Sequence, residues 1–126
     1  MEGFQSLMEQ AAKDAVDFSR ENFDKDLDFT IDSILYVDEI VEKLSESNLE
    51  EKDAFTLSYI FGAYLGETYK RHRNGSWLFV EETDSEPPQT FLEDEGKTFA
   101  FPSKVYHALN KTADEKLHEY MTLLIE

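Results

Sequence analysis

Residues 54–77 read AFTLSYIFGAYLGETYKRHRNGSW, and this segment determines the architecture of the chain. The sequence SNLE at 47–50 has the form of a capping box, which predicts that a helix begins at Leu49. Cations at 70–73 favour a helix C-terminus, and the following Asn74 and Gly75 suit the left-handed conformation that stops a helix. We therefore predict a long central helix over residues 49–72, followed by a turn and a strand.

Small residues recur at every fourth position of this helix, at Ala54, Ser58, Gly62 and Gly66. They share one face, so another element can approach the helix closely there. A glycine inside a helix costs about 1 kcal/mol relative to alanine, and close packing must offset that cost. We interpret the small-residue face as a packing contact and not as a ligand site.

Helices are also predicted before the central helix. Apolar residues at helical spacing predict an amphipathic helix over residues 3–21. Residues 26–31 alternate between polar and apolar, which predicts either a short half-buried strand or an extended lead-in to the next helix. That second helix is expected to be capped by Thr30 and to end near Ser45, with Ile34, Val37, Val41 and Leu44 as its buried face.

The second half of the chain predicts strands first and then helices. Strands are expected at 77–80, 90–92 and 98–101, with a glycine-containing hairpin turn between the last two. Pro102 suits the first turn of a short helix ending at Leu109, and a capping box at 112–115 predicts a terminal helix. The predicted fold class is α+β in a single domain, residues 1–126: a helical N-terminal half with a long central helix, an antiparallel sheet of about three strands within 77–101, and two C-terminal helices.

The composition is strongly acidic, with 28 Asp and Glu against 12 Lys and Arg and a net charge of −16. Such a surface repels nucleic acid and anionic lipid, so we expect neither as a partner and favour a basic protein. There is no cysteine for disulfides or thiol chemistry. The first ten residues, MEGFQSLMEQ, lack the basic and apolar regions of a signal peptide, and we predict a cytoplasmic protein.

Motifs for catalysis or metal binding are absent from the sequence. The three histidines, at positions 72, 107 and 118, are isolated, and no G-x-S-x-G, Walker A or G-x-G-x-x-G pattern occurs. We predict no catalytic residue, no metal and no cofactor. The expected role is binding rather than catalysis.

One candidate site surrounds Glu67, with Tyr64 and Trp77 as its expected neighbours. A carboxylate at this position either faces a ligand or forms a surface pair with Arg71, four residues later. Asp38 is similarly ambiguous, since it could pair with the cations at 70–73 or accept a hydrogen bond from the Trp77 indole. A small-molecule or enzymatic pocket at Glu67, Tyr64 and Trp77 is therefore the alternative function.

A second candidate site is acidic. Seven carboxylates and no cation lie between positions 81 and 95: Glu81, Glu82, Asp84, Glu86, Glu93, Asp94 and Glu95. Such runs are commonly solvated surface, but they also capture basic proteins through charge complementarity. We include Glu82, Asp84 and Glu86 among the candidate binding residues.

Several short segments resemble a widespread group of small uncharacterised bacterial proteins, a domain of unknown function with the pattern GAYLGE…GxW. The matching segments are LDFT at 27–30 with Ser33, Ile34 and Asp38, then GAYLGE at 62–67, GSW at 75–77 and FPSKV at 101–105. The resemblance carries over no catalytic residue and implies a binding role, since some small proteins of this kind are immunity or regulatory partners. We therefore expect a non-catalytic protein-binding module, of immunity or inhibitory type, that acts on a basic protein.

Overall fold

The computed structural model describes residues 2–113 and 115–126, and the described chain has an α+β fold. The helices are α1 (Glu2–Phe23), α2 (Ile34–Ser45), α3 (Glu51–His72), α4 (Phe101–Leu109) and α5 (Leu117–Ile125). The strands β1 (Ser76–Val80), β2 (Gln89–Asp94) and β3 (Lys97–Phe99) form an antiparallel sheet in the order β1-β2-β3. The predicted fold class and order of elements are confirmed.

Helix α3 is the central element, as predicted. It contacts α1, α4 and α5, and every residue from 61 to 69 is buried. The core around it contains side chains from all five described helices and from β1 and β2. Its 22 residues span about 33 Å at 1.5 Å per residue, so one helix can touch most of the fold.

The predicted ends of α3 are wrong in detail. Glu50 occupies the N-cap position without a side-chain cap, and the Ser47 hydroxyl instead donates to the Leu44 carbonyl at 2.7 Å. The predicted capping box is therefore used to close α2 rather than to open α3. At the other end the chain leaves the helix through extended backbone at Arg73 (φ −141°, ψ 171°), not through a left-handed turn at Asn74 and Gly75.

Close approaches require glycine at two positions of α3. A Cβ atom at Gly62 would lie 2.5 Å from Cα of Pro102, and one at Gly66 would lie 2.1 Å from Cζ2 of Trp77. Neither distance is compatible with a side chain. The small-residue face is therefore a packing contact, with α4 at Gly62 and with the indole of β1 at Gly66.

The segment before α2 is an extended lead-in and not a strand. Leu27 is buried, and Phe29 and Ile31 are half-buried, which gives the predicted alternation. Phe29 has a positive φ of 64°, which is incompatible with a regular strand. Thr30 does not cap α2 as predicted, because the N-cap position is Ser33; Oγ1 of Thr30 accepts the Ser33 N–H at 3.2 Å in the preceding turn.

The buried face of α2 also differs slightly from the prediction. Ile34, Val37 and Val41 are buried, as expected. The fourth buried residue is Ile40, whereas Leu44 is only half-buried near the end of the helix. The face that contacts the core is therefore centred one residue earlier than predicted.

The turn between β2 and β3 is the predicted hairpin. Glu95 and Gly96 have φ values of 51° and 84°, the two positive values of a type I′ turn. The predicted third strand is too long, because Phe101 is the buried first residue of α4. Pro102 lies in the first turn of α4, where its missing N–H costs no helical hydrogen bond.

A glutamine side chain joins α1 to the outer edge of β1. Nε2 of Gln5 donates to the Trp77 carbonyl at 2.8 Å, and Oε1 of Gln5 accepts the Trp77 N–H at 2.9 Å. The amide thus satisfies the edge groups that a neighbouring strand would pair. This contact fixes the position of Trp77 against α3.

Helix α5 has no side-chain cap from its own N-cap residue, Lys116. The predicted capping box at 112–115 includes residue 114, which lies outside the described residues. The first N–H groups of α5 are bound instead by Asp38, which belongs to α2.

Candidate functional site

Glu67 is a buried residue, only 6% exposed, and its carboxylate has partners within the protein. Oε2 of Glu67 accepts a hydrogen bond from the Trp77 indole at 2.8 Å and one from the Lys70 ammonium at 3.1 Å. The predicted pair with Arg71 is wrong. Arg71 donates to the main-chain oxygen of Glu67 at 3.1 Å and places its guanidinium 3.8 Å from the centre of the Phe29 ring.

Tyr64 is fully buried and binds the lead-in to α2. Its hydroxyl accepts the Phe29 N–H at 2.8 Å and shares a 2.5 Å hydrogen bond with the Ser33 hydroxyl. Burial raises the pKa of the Tyr64 phenol above its usual value, which keeps the hydroxyl neutral. Tyr64 therefore stabilises the positive-φ turn at Phe29.

Asp38 is an N-cap supplied from a different helix. Oδ1 accepts the Leu117 N–H at 2.8 Å and Oδ2 accepts the His118 N–H at 3.0 Å, at the start of α5. Both predicted roles, with the cations at 70–73 and with Trp77, are wrong, because this carboxylate faces α5. Burial raises the pKa of the Asp38 carboxyl, while the two N–H groups act in the opposite direction.

The segments that carry the resemblance meet in the core. Tyr64 binds the 27–33 segment, Gly62 admits Pro102, and Gly66 and Glu67 receive Trp77. These contacts account for the GAYLGE sequence through packing and hydrogen bonding. They give no support to a ligand pocket at Glu67, Tyr64 and Trp77, since each of the three side chains is buried against the others or against the lead-in.

The acidic loop, residues 81–88, is exposed along its whole length. The Thr83 N–H donates to the Glu86 carbonyl at 2.9 Å, and Oγ1 of Thr83 accepts the Glu86 N–H at 3.0 Å and the Ser85 N–H at 3.3 Å. These bonds hold the loop in a tight turn. The carboxylates of Glu82, Asp84 and Glu86 are consequently presented to solvent from one ordered segment.

The second group of acids, at 93–95, is divided between surface and structure. Glu93 and Glu95 are exposed, whereas Asp94 is half-buried and its Oδ2 accepts the Tyr69 hydroxyl at 2.6 Å. Burial, followed by this hydrogen bond, raises the pKa of the Tyr69 phenol to about 12. Asp94 thus anchors β2 to α3 and is not a free surface charge.

A groove with a volume of about 800 Å³ lies between α3, α4 and the end of the acidic loop. Its lining is rich in aromatic and proline side chains: Phe55, Tyr59, Pro87, Pro88, Pro102 and Tyr106. Phe55 is 58% exposed and stacks on the Tyr106 ring, with centroids 5.1 Å apart and planes 12° from parallel. The Tyr106 hydroxyl donates to the Glu51 carboxylate.

Two features of the sequence indicate this groove. Phe55 and Tyr59 are four residues apart on α3, and Pro87 and Pro88 end the acidic loop. Helical spacing places Phe55, Tyr59 and Glu67 along one stripe of α3. The stripe in fact divides, because Glu67 is buried under β1 while Phe55, three turns earlier, is exposed.

Within residues 2–113 and 115–126, His, Asp and Glu side chains do not gather into a group able to hold a metal ion. None of the helices described for this chain combines the length and apolar character needed to cross a membrane.

Comparisons of the chain with protein-family models, with curated proteins and with solved structures gave no match. The functional assignment therefore rests on the contacts and charges of this chain.

Proposed function

We propose that this protein is a non-catalytic binding module that acts in the bacterial cytoplasm as an immunity-type or inhibitory partner of a basic protein. The observation that carries the proposal is the acidic loop, residues 81–88. It is exposed throughout, held in one turn by Thr83, and contains four carboxylates and no cation: Glu81, Glu82, Asp84 and Glu86.

Charge complementarity supports this kind of partner. A chain with a net charge of −16 attracts a basic protein over a distance set by the Debye length, about 8 Å in physiological salt. Proteins that bind nucleic acid are commonly basic, and a carboxylate-bearing loop can occupy the positions that phosphates would take. Steering of this type accelerates association and suppresses binding to acidic proteins.

The fixed shape of the loop distinguishes it from an ordinary solvated charge run. Three hydrogen bonds centred on Thr83 restrict the backbone from residue 83 to residue 86. A carboxylate on a pre-ordered loop loses less conformational entropy when it binds than one on a flexible segment. The turn therefore supports a recognition role for Asp84 and Glu86.

The alternative, a small-molecule or enzymatic pocket at Glu67, lacks a supporting observation. Glu67, Tyr64 and Trp77 are buried. The Glu67 carboxylate binds the Trp77 indole and Lys70, and the Tyr64 hydroxyl binds Ser33. The resemblance to the GAYLGE…GxW group agrees with the preferred proposal. Its segments explain how the scaffold holds together, which leaves the exposed loops to carry recognition.

The proposal is tested by capture with a charge-matched control. Immobilised wild type is compared with a loop variant carrying Glu82→Gln, Asp84→Asn and Glu86→Gln, each incubated with a bacterial lysate at low and at physiological salt. The control variant neutralises three exposed acids of α1, Glu9, Asp17 and Glu21, and so has the same net charge.

We expect wild type and the α1 control to retain a basic protein that the loop variant loses. Addition of this module to the captured protein should then inhibit its activity. Identical capture by all three proteins, or retention of acidic proteins only, would contradict the proposal.

A further inference from the structure

The groove between α3 and α4, which we call the aromatic groove, is an exposed and mainly apolar depression next to the acidic loop. It is continuous with that loop, because Pro87 and Pro88 directly follow Glu86 and form part of its wall. Phe55 and Tyr106 also line the groove, and their rings stack in nearly parallel planes.

We propose that the aromatic groove binds an extended segment of the basic partner, rich in proline or aliphatic side chains and flanked by Lys or Arg. This inference rests on the proposed function and names the part of the partner that is recognised. In this inference the groove supplies most of the affinity for the partner's segment, and the acids around the groove orient that segment.

The chemistry of the groove wall favours an extended apolar segment. Aromatic grooves take up proline-rich chains in the extended polyproline II conformation, because rings offer flat apolar faces and such a segment has little entropy to lose. The Tyr59 and Tyr106 rings provide such faces, and a volume of about 800 Å³ lies at the upper end of the range for ligand pockets. Gln89 and Thr90, at the start of β2, add polar groups to the floor of the groove.

The charges around the aromatic groove determine which chain is expected there. Two carboxylates adjoin residues of the groove wall: Glu51 accepts the Tyr106 hydroxyl, and Glu86 directly precedes Pro87. Lys52 is the neighbouring cation on α3, and it lies 3.7 Å from Glu50. On α4, Lys104 is directed towards Glu115, at 3.2 Å, and so does not neutralise the groove.

A second copy of this chain is a poor occupant for the same reason. Each copy carries a net charge of −16, and bringing two such surfaces together is opposed by their mutual repulsion. A segment with cations on both sides of its apolar residues is attracted by the same carboxylates. Charge complementarity thus selects a basic partner.

The groove and the loop would contribute to different stages of binding. Carboxylates in solvent mainly accelerate the encounter, and salt screens their effect. Aromatic side chains that become desolvated supply most of the energy of a typical interface and slow dissociation. An apolar groove beside an acidic loop combines both properties in one surface.

A random peptide library displayed on phage tests this inference without assuming a ligand. The library is selected on the wild-type protein at physiological salt, and enriched peptides are synthesised and titrated by calorimetry. Titrations use wild type, Phe55→Ser, the loop variant and a control, Leu123→Ser, which changes an apolar residue of α5 that is 67% exposed.

We expect enriched peptides to combine proline or aliphatic residues with Lys or Arg. Phe55→Ser should weaken their affinity at least tenfold, whereas Leu123→Ser should leave it unchanged. A second readout avoids dependence on the variant's folding: peptide added to wild type should shift the amide signals of residues 55, 59, 90 and 106 in NMR spectra.

Other outcomes overturn the inference in distinguishable ways. Basic peptides that bind Phe55→Ser as tightly as wild type, but lose affinity for the loop variant, would remove the groove from recognition and leave the proposed function intact. Apolar peptides without cations that depend on Phe55 would contradict the basic partner and so the proposed function as well. A selection that enriches no peptide, or shifts that fall outside the groove, would refute the docking site.

Discussion

The indole N–H of Trp77 donates a 2.8 Å hydrogen bond to Oε2 of Glu67, in the buried contact between β1 and α3. The same indole lies against Gly66, where a Cβ atom would approach Cζ2 to 2.1 Å. Consecutive residues of α3 thus make room for one side chain and bind its only polar atom. This relationship explains physically why a glycine and a carboxylate follow each other in the buried part of α3.

Replacing Glu67 by glutamine should destabilise the fold by about 1–2 kcal/mol. The amide can still accept the indole N–H, but a charge-assisted hydrogen bond becomes a neutral one and the Lys70 ammonium loses its partner. Chemical denaturation measures the loss. Trp77 is the only tryptophan, so its fluorescence reports directly on this contact.

Glu21→Gln is the matched control for Glu67→Gln, since Glu21 is exposed on α1. Its free energy of unfolding should stay within about 0.5 kcal/mol of wild type. If Glu67→Gln changed the free energy of unfolding as little as Glu21→Gln and left the tryptophan emission unchanged, the buried hydrogen bond would not stabilise the fold as we describe.

Alanine at Gly62 should cost about 1–3 kcal/mol, although alanine is the better helix former. The new Cβ would lie 2.5 Å from the backbone Cα of Pro102, so α4 would have to move away from α3. Denaturant unfolding of Gly62→Ala measures the effect. In Gly3→Ala, within α1, the Cβ meets nothing within 4 Å, and we expect no loss and a gain of up to about 1 kcal/mol. Equal effects in the two variants would disprove the close contact.

Alanine at Asp38 should detach the start of α5. Two N–H groups, of Leu117 and His118, lose their acceptor, and removal of a helix cap costs about 0.5–2 kcal/mol. Hydrogen exchange of these two amides should accelerate, while Asp38→Asn, which keeps one acceptor oxygen, should be less affected. Glu39→Ala, the next residue of α2, is exposed and lies 3.5 Å from Lys25 rather than against α5; it is the control and should exchange as wild type does. Unchanged exchange in Asp38→Ala would show that α5 needs no cap from α2.

The sequence was sufficient to predict the elements but not the contacts between distant ones. Helical spacing and turn residues identified the central helix and the Glu95-Gly96 hairpin, because these depend on neighbouring positions. Asp38 binds Leu117, 79 residues later, and Gln5 binds Trp77, 72 residues later. No local sequence pattern indicates such distant partners. Their roles required the three-dimensional arrangement.

The errors at Glu67 have a similarly specific cause. Residues three and four positions later both lie next to a helical side chain, so Lys70 and Arg71 were equivalent candidates in the sequence. The structure selects Lys70, at 3.1 Å, because Arg71 stacks on Phe29 of the lead-in. Helical spacing likewise does not show that Phe55 is exposed while Glu67, on the same stripe of α3, is buried, and so it does not predict the aromatic groove.

Tyr69 should make the fold sensitive to alkaline pH. Its phenol has a pKa of about 12 in the folded protein, against about 10 in the unfolded chain. The folded state therefore keeps a proton that the unfolded state releases. The stability from this group is complete below about pH 10 and falls as the pH rises towards about 12.

Tyr69→Phe tests this titration. The variant loses the hydrogen bond to Asp94, so it should be less stable than wild type at neutral pH. The difference between the two proteins should then shrink as the pH rises above about 10, since only wild type loses this contribution. Denaturant unfolding at a series of alkaline pH values gives the difference curve. A constant difference would mean that Tyr69 titrates as a free phenol.

Neutralising the acidic loop should slow association with the proposed basic partner without disturbing the fold. The substitutions are Glu82→Gln, Asp84→Asn and Glu86→Gln; Asp94 is left intact because it accepts the Tyr69 hydroxyl. All three positions are exposed, so unfolding should be unaffected. The association rate at low salt should fall about tenfold or more, and the difference from wild type should shrink at high salt, where steering is screened.

Stopped-flow or surface-binding kinetics at two salt concentrations measure this change, with the partner obtained by capture. The α1 control, neutral at Glu9, Asp17 and Glu21, removes the same charge from a different face. If the position of the loop matters, the control should associate faster than the loop variant, because steering depends on where the charges lie relative to the binding surface. Equal slowing of both variants would show that only net charge contributes. Unchanged rates in the loop variant would identify residues 81–88 as solvated surface, and the recognition face would then have to be formed by other residues.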